Sequence, residues 1–410
     1  MIATLQDGEA LPFDPYASGF NTDPYSHYKR LRAADPVYWD PLLRAWMLTR
    51  MTEVREVIND ETFHVFDVGK PIGDMARLAG KDFSHLVRTL DAMTFLQNGD
   101  DHRAARRALG LAISRVSFRD LEPAIDEMAR KLAADLATRP SFDAAKDYAD
   151  ILPARVMTHI LGLPESDGDL LKDIGDDIVR AFDIVSLRVY QELDRKAEIA
   201  LKHLCKRVAD ALAAGRENGV TVLYEEGARS ADDKLMTTAA LILFAFAVGT
   251  VTTSSLISFA LDLLMERPDL YARARADVSL AAEVAAEAGR LQSPVQRALR
   301  VATEDRVVGG KSIQRGQRLI LMVGAANRCP EQFSEPDSAR VPRDEGRDLV
   351  FGAGRHVCLG MNLAKIESRI TLTHFLGLPA LERNGPPTFR PSVTVRRLES
   401  IPVKFKGVRG

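Results

Sequence analysis

Apolar positions recur at three- and four-residue spacing through the middle of the chain. The pattern predicts helices over 101–112, 120–137, 148–162, 168–184, 187–215 and 234–266, punctuated by Pro153, Pro164 and Pro268. Before them, Val37-Tyr38-Trp39 and Trp46-Met47-Leu48 read as two strands joined through Asp40-Pro41, and Met51 to Ile58 as a helix. After Pro268, a helix near 279–291 precedes β-rich sequence from Ala298 to Val323, with Gly309-Gly310 as a turn. An irregular stretch from Pro330 to Asp348 leads into a glycine-rich loop at 351–360. A helix from about Leu359 to Leu376 and a strand-like tail, Thr394 to Phe405, follow. The expected fold is mainly α with a minor β portion. Its β-rich parts lie at about 1–70 and 298–325, its helical parts at about 101–292 and 359–376.

Leu235 to Leu261 carries no charge, and ~20 apolar residues suffice to cross a bilayer. Its centre is Gly249-Thr250-Val251-Thr252-Thr253-Ser254-Ser255, and it has no Trp or Tyr at its ends. It reads as a core helix, apolar all round. Apolar residues make up 46% of the 410-residue chain and charged residues 27%, with no linker or repeat, so one folding unit over 1–410 is expected. A net charge of −2 implies no nucleic-acid or membrane partner. The N-terminal MIATLQDGEALPFDPYASGF has no basic and apolar regions of an export signal. Cys205, Cys329 and Cys358 are too few and scattered for a disulfide framework, which suits a reducing cytoplasm.

The most informative segment is Phe351-Gly352-Ala353-Gly354-Arg355-His356-Val357-Cys358-Leu359-Gly360. Its glycines permit positive φ and close backbone approach. A cysteine at the start of the next helix gains thiolate character from the dipole and free N–H groups. Such a thiolate is a good single ligand for heme iron. A bland glycine turn beside a buried cysteine is the competing reading. Zinc lacks a second ligand at the right spacing, and a phosphate loop lacks its Lys-Ser or Lys-Thr.

This decapeptide resembles the heme-binding signature of the cytochrome P450 family, Phe-Gly-x-Gly-x-His/Arg-x-Cys-x-Gly, at every fixed position. The resemblance implies a triangular prism holding heme b (iron protoporphyrin IX) between a long distal helix and the cysteine-loop helix. Cys358 would be the iron ligand, with Phe351, Gly352 and Gly360 shaping the cofactor loop. Glu287-Ala288-Gly289-Arg290 resembles the family's structural Glu-x-x-Arg. Its arginine partner is expected at Arg343, in preference to Arg340. His102 and Arg106, four apart on a helix, together with Arg300 and His356 match the residues that bind the heme propionates. Buried carboxylates need such partners.

Val248-Gly249-Thr250-Val251-Thr252-Thr253 matches the family's oxygen-activation string. Gly249 would widen the helix locally, and Thr252 would hydrogen-bond the iron-bound oxygen. Thr253, Ser254 and Ser255 are expected to bond back to the i−4 carbonyl. The family's acid is replaced by Val251, which can neither donate nor accept a proton. Three routes follow: a water chain ordered by Thr252 and Thr250, a proton from the substrate, or chemistry other than ordinary monooxygenation. The first is preferred because the threonine is retained.

The implied reaction inserts one atom of O2 into a small-to-medium hydrophobic substrate, by hydroxylation or oxidative dealkylation. A ferredoxin and ferredoxin reductase would supply electrons through a basic patch of Arg103, Arg107, Arg355 and Lys365. The pocket is expected from the 63–98 segment, residues 181–190 and the long helix, with Phe66, Met93, Phe95, Phe244, Ala247, Val248 and Val295 as candidates. Use of peroxide or nitric oxide, and a non-catalytic heme-thiolate binder, are the alternatives. Peroxide-using relatives carry an Arg-Pro pair absent from this helix.

Overall fold

The uncharged central stretch folds as one helix, Lys234–Glu266. Asp233 starts it by accepting a hydrogen bond from the Met236 amide at 3.1 Å. The computed structural model describes residues 13–407 except 16, 18, 116–117, 184 and 228–232, and omits the side chains of 118 and 119. Most of the segment read for an export signal, and Ile184 in the expected pocket region, therefore lie outside the described residues. Among the described residues Lys234–Glu266 is the one helix long and apolar enough to cross a membrane. Yet Ala239 through Ala247 are all buried. Helices Ile151–Leu161, Gly168–Ile178 and Leu187–Ala213 pack onto it. Burial on every side removes any need for a polar face.

The chain forms two compact units. The first comprises 1–66, 286–358 and 387–399. Its five-stranded sheet runs in the order Val37–Asp40, Ala45–Leu48, Arg318–Leu321, Ala298–Ala302, Phe63–Val65. Only the Ala45–Leu48 and Arg318–Leu321 pair is parallel. The Asp40 carboxylate accepts from the Leu42 and Leu43 amides at 2.9 and 2.8 Å and makes the first turn. Gly309 and Gly310, at φ +53° and +77°, join the hairpin Arg306–Val308 and Lys311–Ile313. Two successive positive φ values are what a two-residue hairpin loop of this hand requires. Helix Met51–Asn59 packs Val54 and Val57 against Phe63, Leu319 and Leu321.

The second unit comprises 67–285, 359–386 and 400–410 and is mostly helical. Besides the helices above it contains Gly99–Ser114, Phe118–Leu136 and Met361–Gly377. A small sheet pairs Pro402–Phe405 with Ser141–Asp143 and Leu381–Arg383. The helix expected over 148–162 opens instead with a π turn, Ala145–Ala149. That expected over 168–184 tightens to a 3-10 turn after Ile178.

Several helices were not expected, and three of them show why. Gly69–Leu78 and Ser84–Asp91 are short, and Pro71, Gly73 and Gly80 mask their few core positions, Ile72, Ala76, Leu86 and Leu90. Pro268, read as a stop, also begins the helix Pro268–Ala276, where its missing N–H costs nothing.

Helix Gly168–Ile178 reaches the long helix closely at Gly175, where an added Cβ would lie 3.0 Å from the Ala247 Cα. Backbone cannot yield there as a flexible side chain could. Gly175→Ala should therefore destabilise the protein by about 1–3 kcal/mol through overpacking, although alanine favours helix. Gly110, helical with its nearest neighbour 3.9 Å away, should respond oppositely, gaining about 0.5–1 kcal/mol as alanine. Urea unfolding of the two variants reads the difference in sign.

Candidate active site

The cysteine loop is built by backbone geometry. Gly352 and Gly354 sit at φ +68° and +63°. The Gly352 amide donates to the Leu349 carbonyl at 3.0 Å, and the Cys358 amide to the Phe351 carbonyl at 2.8 Å. Gly354 also lies against helix Met51–Asn59, where a Cβ would come 3.1 Å from the Ile58 carbonyl oxygen. These contacts hold Cys358 at the end of a closed loop with the residue exposed. The following helix begins at Met361, two residues later than expected, so Cys358 precedes it. Gly360 has φ −85° and open space on its Cβ side, so the protein itself does not demand glycine there.

Near this loop, in the same unit, Arg300 is 4% exposed, and burial pushes its pKa down to about 10, with the Arg355 guanidinium adding to the effect. Its Nη1 donates to the neighbouring Leu299 carbonyl at 2.9 Å, and no carboxylate pairs with it among the described residues. Among the described residues the ion-pair partner of Arg355 is Glu61, at 3.9 Å. His356 is half-buried. A buried guanidinium with a second, half-buried one close enough to lower its pKa suits an anionic partner such as a heme propionate. In the other unit, His102 is buried and Arg106 half-buried, one turn apart on helix Gly99–Ser114. Arg355, expected on a docking surface, is thus better matched to Arg300. Arg103, Arg107 and Lys365 remain exposed.

On the long helix, Thr252 donates to the Val248 carbonyl at 2.8 Å. Val251 is buried. Thr250 is also buried and donates to the Phe246 carbonyl at 2.9 Å. Two positions along an α-helix are about 200° apart, so Thr250 and Thr252 cannot order one water chain as expected. The widening expected at Gly249 is absent too, because the helix is continuous. Glycine there leaves room for the flexible Met157 side chain, whose sulfur a Cβ would approach to 2.8 Å. Ser255 bonds back to the Val251 carbonyl at 2.7 Å, as expected. Ser254 instead donates to the Asp150 carboxylate.

Glu287 and Arg290 form a two-bond pair, both at 2.8 Å, and both are buried. Arg343 donates from Nε to both Glu287 oxygens at 3.0 and 3.2 Å. Arg340 contributes only its backbone amide, at 2.9 Å. Arg290 also reaches the Asn327 and Pro336 carbonyls at 3.0 and 2.8 Å, tying the irregular stretch to its helix.

Among the pocket candidates, Phe95 lies 5.9 Å from Phe244 and 5.6 Å from Phe182 between ring centres. Met93 and Val248 join the same apolar cluster. Ala247 faces Gly175 in a helix crossing, which assigns it to packing. In the other unit, the Phe66 ring lies 5.6 Å from the Arg318 guanidinium, and Val295 bridges to Val395. Sequence reading missed Asp150 and Glu367. Glu367 had a signal: it falls on the apolar stripe Leu363, Glu367, Ile370 of its helix.

The fold and cysteine loop define a heme-protein class, and comparison with known proteins identifies it. The "Cytochrome P450" family model matches residues 152–382. This chain belongs to the cytochrome P450 monooxygenase family and is therefore an oxidoreductase. The biotin biosynthesis cytochrome P450 of Bacillus subtilis (strain 168) is 30% identical over 95% of this chain and 98% of the relative. The epothilone C/D epoxidase of Sorangium cellulosum is 29% identical over 97% and 96%. Among solved structures, P450BioI in complex with hexadec-9Z-enoic acid ligated acyl carrier protein superposes with a TM-score of 0.86 at 27% identity. That match covers 95% of this chain and 100% of that one.

The Glu287 cluster yields a stability prediction. Glu287→Gln leaves the buried Arg290 guanidinium without its anion, while Arg343 keeps Glu345, and should cost about 3–5 kcal/mol. Denaturant unfolding should show an earlier transition, whereas Arg340→Ala, which keeps its amide, should change little.

Proposed function

We propose that the whole chain acts as one cytoplasmic heme-thiolate monooxygenase domain. Cys358 would be the axial ligand of heme b, and one atom of O2 would be inserted into a small-to-medium apolar substrate by hydroxylation or oxidative dealkylation. The observation that carries this reading is Cys358 presented on a glycine loop closed by its own amide at 2.8 Å. The residues present fit the cofactor. His102, Arg106, Arg300 and His356 would take the propionates, which would relieve the uncompensated Arg300. Phe351, Gly352 and Gly360 would line the loop. Bound heme supplies reductive activation of dioxygen. The chain's own residues supply the rest. The Thr252 hydroxyl lies one rotation from its helical bond and can hold a proton at Oγ1. Val251 moves none. The Phe182 and Phe244 rings, with the exposed Phe95 against them, would offer substrate an apolar contact.

Electrons would come from a ferredoxin and its reductase. In the helical unit, helix Gly99–Ser114 meets Leu359 at Gly110. Exposed Leu111 and Leu359 and the exposed cations Arg107 and Lys365 belong to these two segments. Apolar contacts with a basic rim suit an acidic ferredoxin. The substrate remains to be found by a spin-state screen. A hexadec-9Z-enoyl chain on acyl carrier protein and an epothilone belong in it, because the relatives' names point to such molecules.

The decisive experiment is the spectrum of the reduced, carbon monoxide-bound protein. The parent should show the thiolate-type Soret band, and Cys358→Ala should lose it. Retention of the band by Cys358→Ala would end the reading. Separately, Arg107→Glu with Lys365→Glu should slow reduction by ferredoxin about ten-fold at low salt and flatten its dependence on ionic strength. Stopped-flow reduction measures both.

A further inference from the structure

The chain has two tryptophans, Trp39 and Trp46. The sheet-containing unit brings them together, with ring centres 5.2 Å apart and planes inclined at 61°. They face each other across the first two strands. Trp46 is also opposite Leu319, Leu319 opposite Arg300, and Arg300 opposite Val65. Residues paired across strands share a face of the sheet. Trp39, Trp46, Leu319 and Arg300 therefore form one row. Strands lie about 4.7–4.9 Å apart, which puts Trp46 about 10 Å from Arg300 along the row. Trp39 is one strand further out, on the edge strand, and half-buried.

This face also leads to the cysteine loop, because Trp46 and Ala353 pack against the apolar core that holds Leu319 and Leu321. Tyr38 and Met47 point to the opposite face, into a different core. The other side chains of the sheet on the tryptophan face are aliphatic, apart from Phe63 and Arg300. Indole is thus the most easily oxidised group in the row. Cys329 and Met51 share the core but are buried off the sheet. Burial, then the bond to Glu331, pushes the Cys329 thiol up, away from its oxidisable thiolate form. The Trp46 N–H donates to Gln317 Oε1 at 2.8 Å, and that oxygen also accepts from the amide of exposed Gln314 at 2.9 Å. An oxidised indole is acidic at its N–H, and this bond leads to the surface. For packing alone, phenylalanine would serve as well in a cross-strand aromatic pair.

We infer that Trp46 and Trp39 form an electron relay that carries oxidising equivalents from the cofactor to the protein surface when no substrate consumes them. The inference rests on the monooxygenase reading above, with Arg300 at a heme propionate. Hydrogen peroxide reacting at the heme takes up two electrons and two protons and leaves as two waters. Each pass along the relay supplies one electron. Trp46 gives it up first, and its N–H proton leaves through the Gln317 bond. Trp39 then reduces Trp46, which regains its proton, and Trp39 loses its own proton to water at the sheet edge. A small diffusible reductant such as ascorbate restores Trp39 with one electron and one proton. Without one, the Trp39 ring itself ends oxidised.

The test treats substrate-free holoenzyme with hydrogen peroxide. Peptide mass spectrometry locates the oxidised residues, and the Soret band follows loss of heme. The carbon monoxide spectrum is read first. A parent without the thiolate band would sink the function and this inference together. With the band intact, the parent should accumulate oxidised Trp39, and ascorbate should prevent it. Trp46→Phe keeps a ring in the row but should lose oxidation at Trp39 and bleach faster. Trp46→Tyr, still oxidisable, should retain it. Trp39→Phe should move the oxidation to Trp46. Freeze-quenched parent should show a tryptophan radical by electron paramagnetic resonance that the Trp39→Phe, Trp46→Phe double variant lacks. Imidazole on the iron should leave both rings intact, and oxidation in its presence would mean direct attack by peroxide and overturn the inference. Oxidised Trp39 in Trp46→Phe, oxidation directed to Cys329 in the parent, or unchanged bleaching in the double variant would overturn it too, with the heme-thiolate reading left standing.

Discussion

A helix of 33 residues buried on every side dictates how the helical unit is built. Its backbone groups are satisfied internally, but its buried side-chain hydroxyls must find partners, which Ser258 does not among the described residues. Thr238, Thr250, Thr252 and Ser255 do so by bonding back to the preceding turn. Ser254 recruits Asp150, whose charge is met in turn by Lys172 at 3.7 Å. The helix is a chain of locally satisfied hydroxyls in an apolar jacket, and the packing sets its close approaches. Gly249 makes room for Met157 and Gly175 for Ala247. Glycine in these places serves helix contact, so a motif glycine and a packing glycine can be one residue.

The sheet-containing unit handles buried charge in two contrasting ways. Around Glu287, Arg290 and Arg343 the account closes: the Glu287 and Glu345 carboxylates, two guanidiniums and several carbonyls pair with one another. Around Arg300 it stays open, because its nearest charged neighbour is another arginine. A protein gains nothing in stability from that arrangement by itself. It makes sense where an anion from outside the polypeptide completes it. The same contrast separates residues that hold the fold from residues that hold a cofactor, although both are buried arginines close in sequence.

How far the sequence could be read follows from the same physics. Long amphipathic helices and the all-apolar helix were legible because their periodicity is long. The cysteine loop was legible because its glycines must sit at fixed places. Arg343 could be chosen over Arg340, and its side chain does complete the cluster. Short helices such as Gly69–Leu78 were not legible, because too few apolar positions compete with internal Pro and Gly. Side-chain direction was the harder loss. Thr250 and Thr252 fall about 200° apart on the expected helix, so their divergence was legible from the period; nothing in the sequence says that Ala247 faces a neighbouring helix. Glu367 was visible as an acid on an apolar stripe, but its meaning needs the burial of both helices.

The carboxylates of the helical unit also differ in what they can do. Asp150 accepts from Ser254 and lies 3.7 Å from Lys172, so it serves as an acceptor. Burial alone pushes the Glu367 carboxyl up to about 8, so it keeps its proton at neutral pH and can donate.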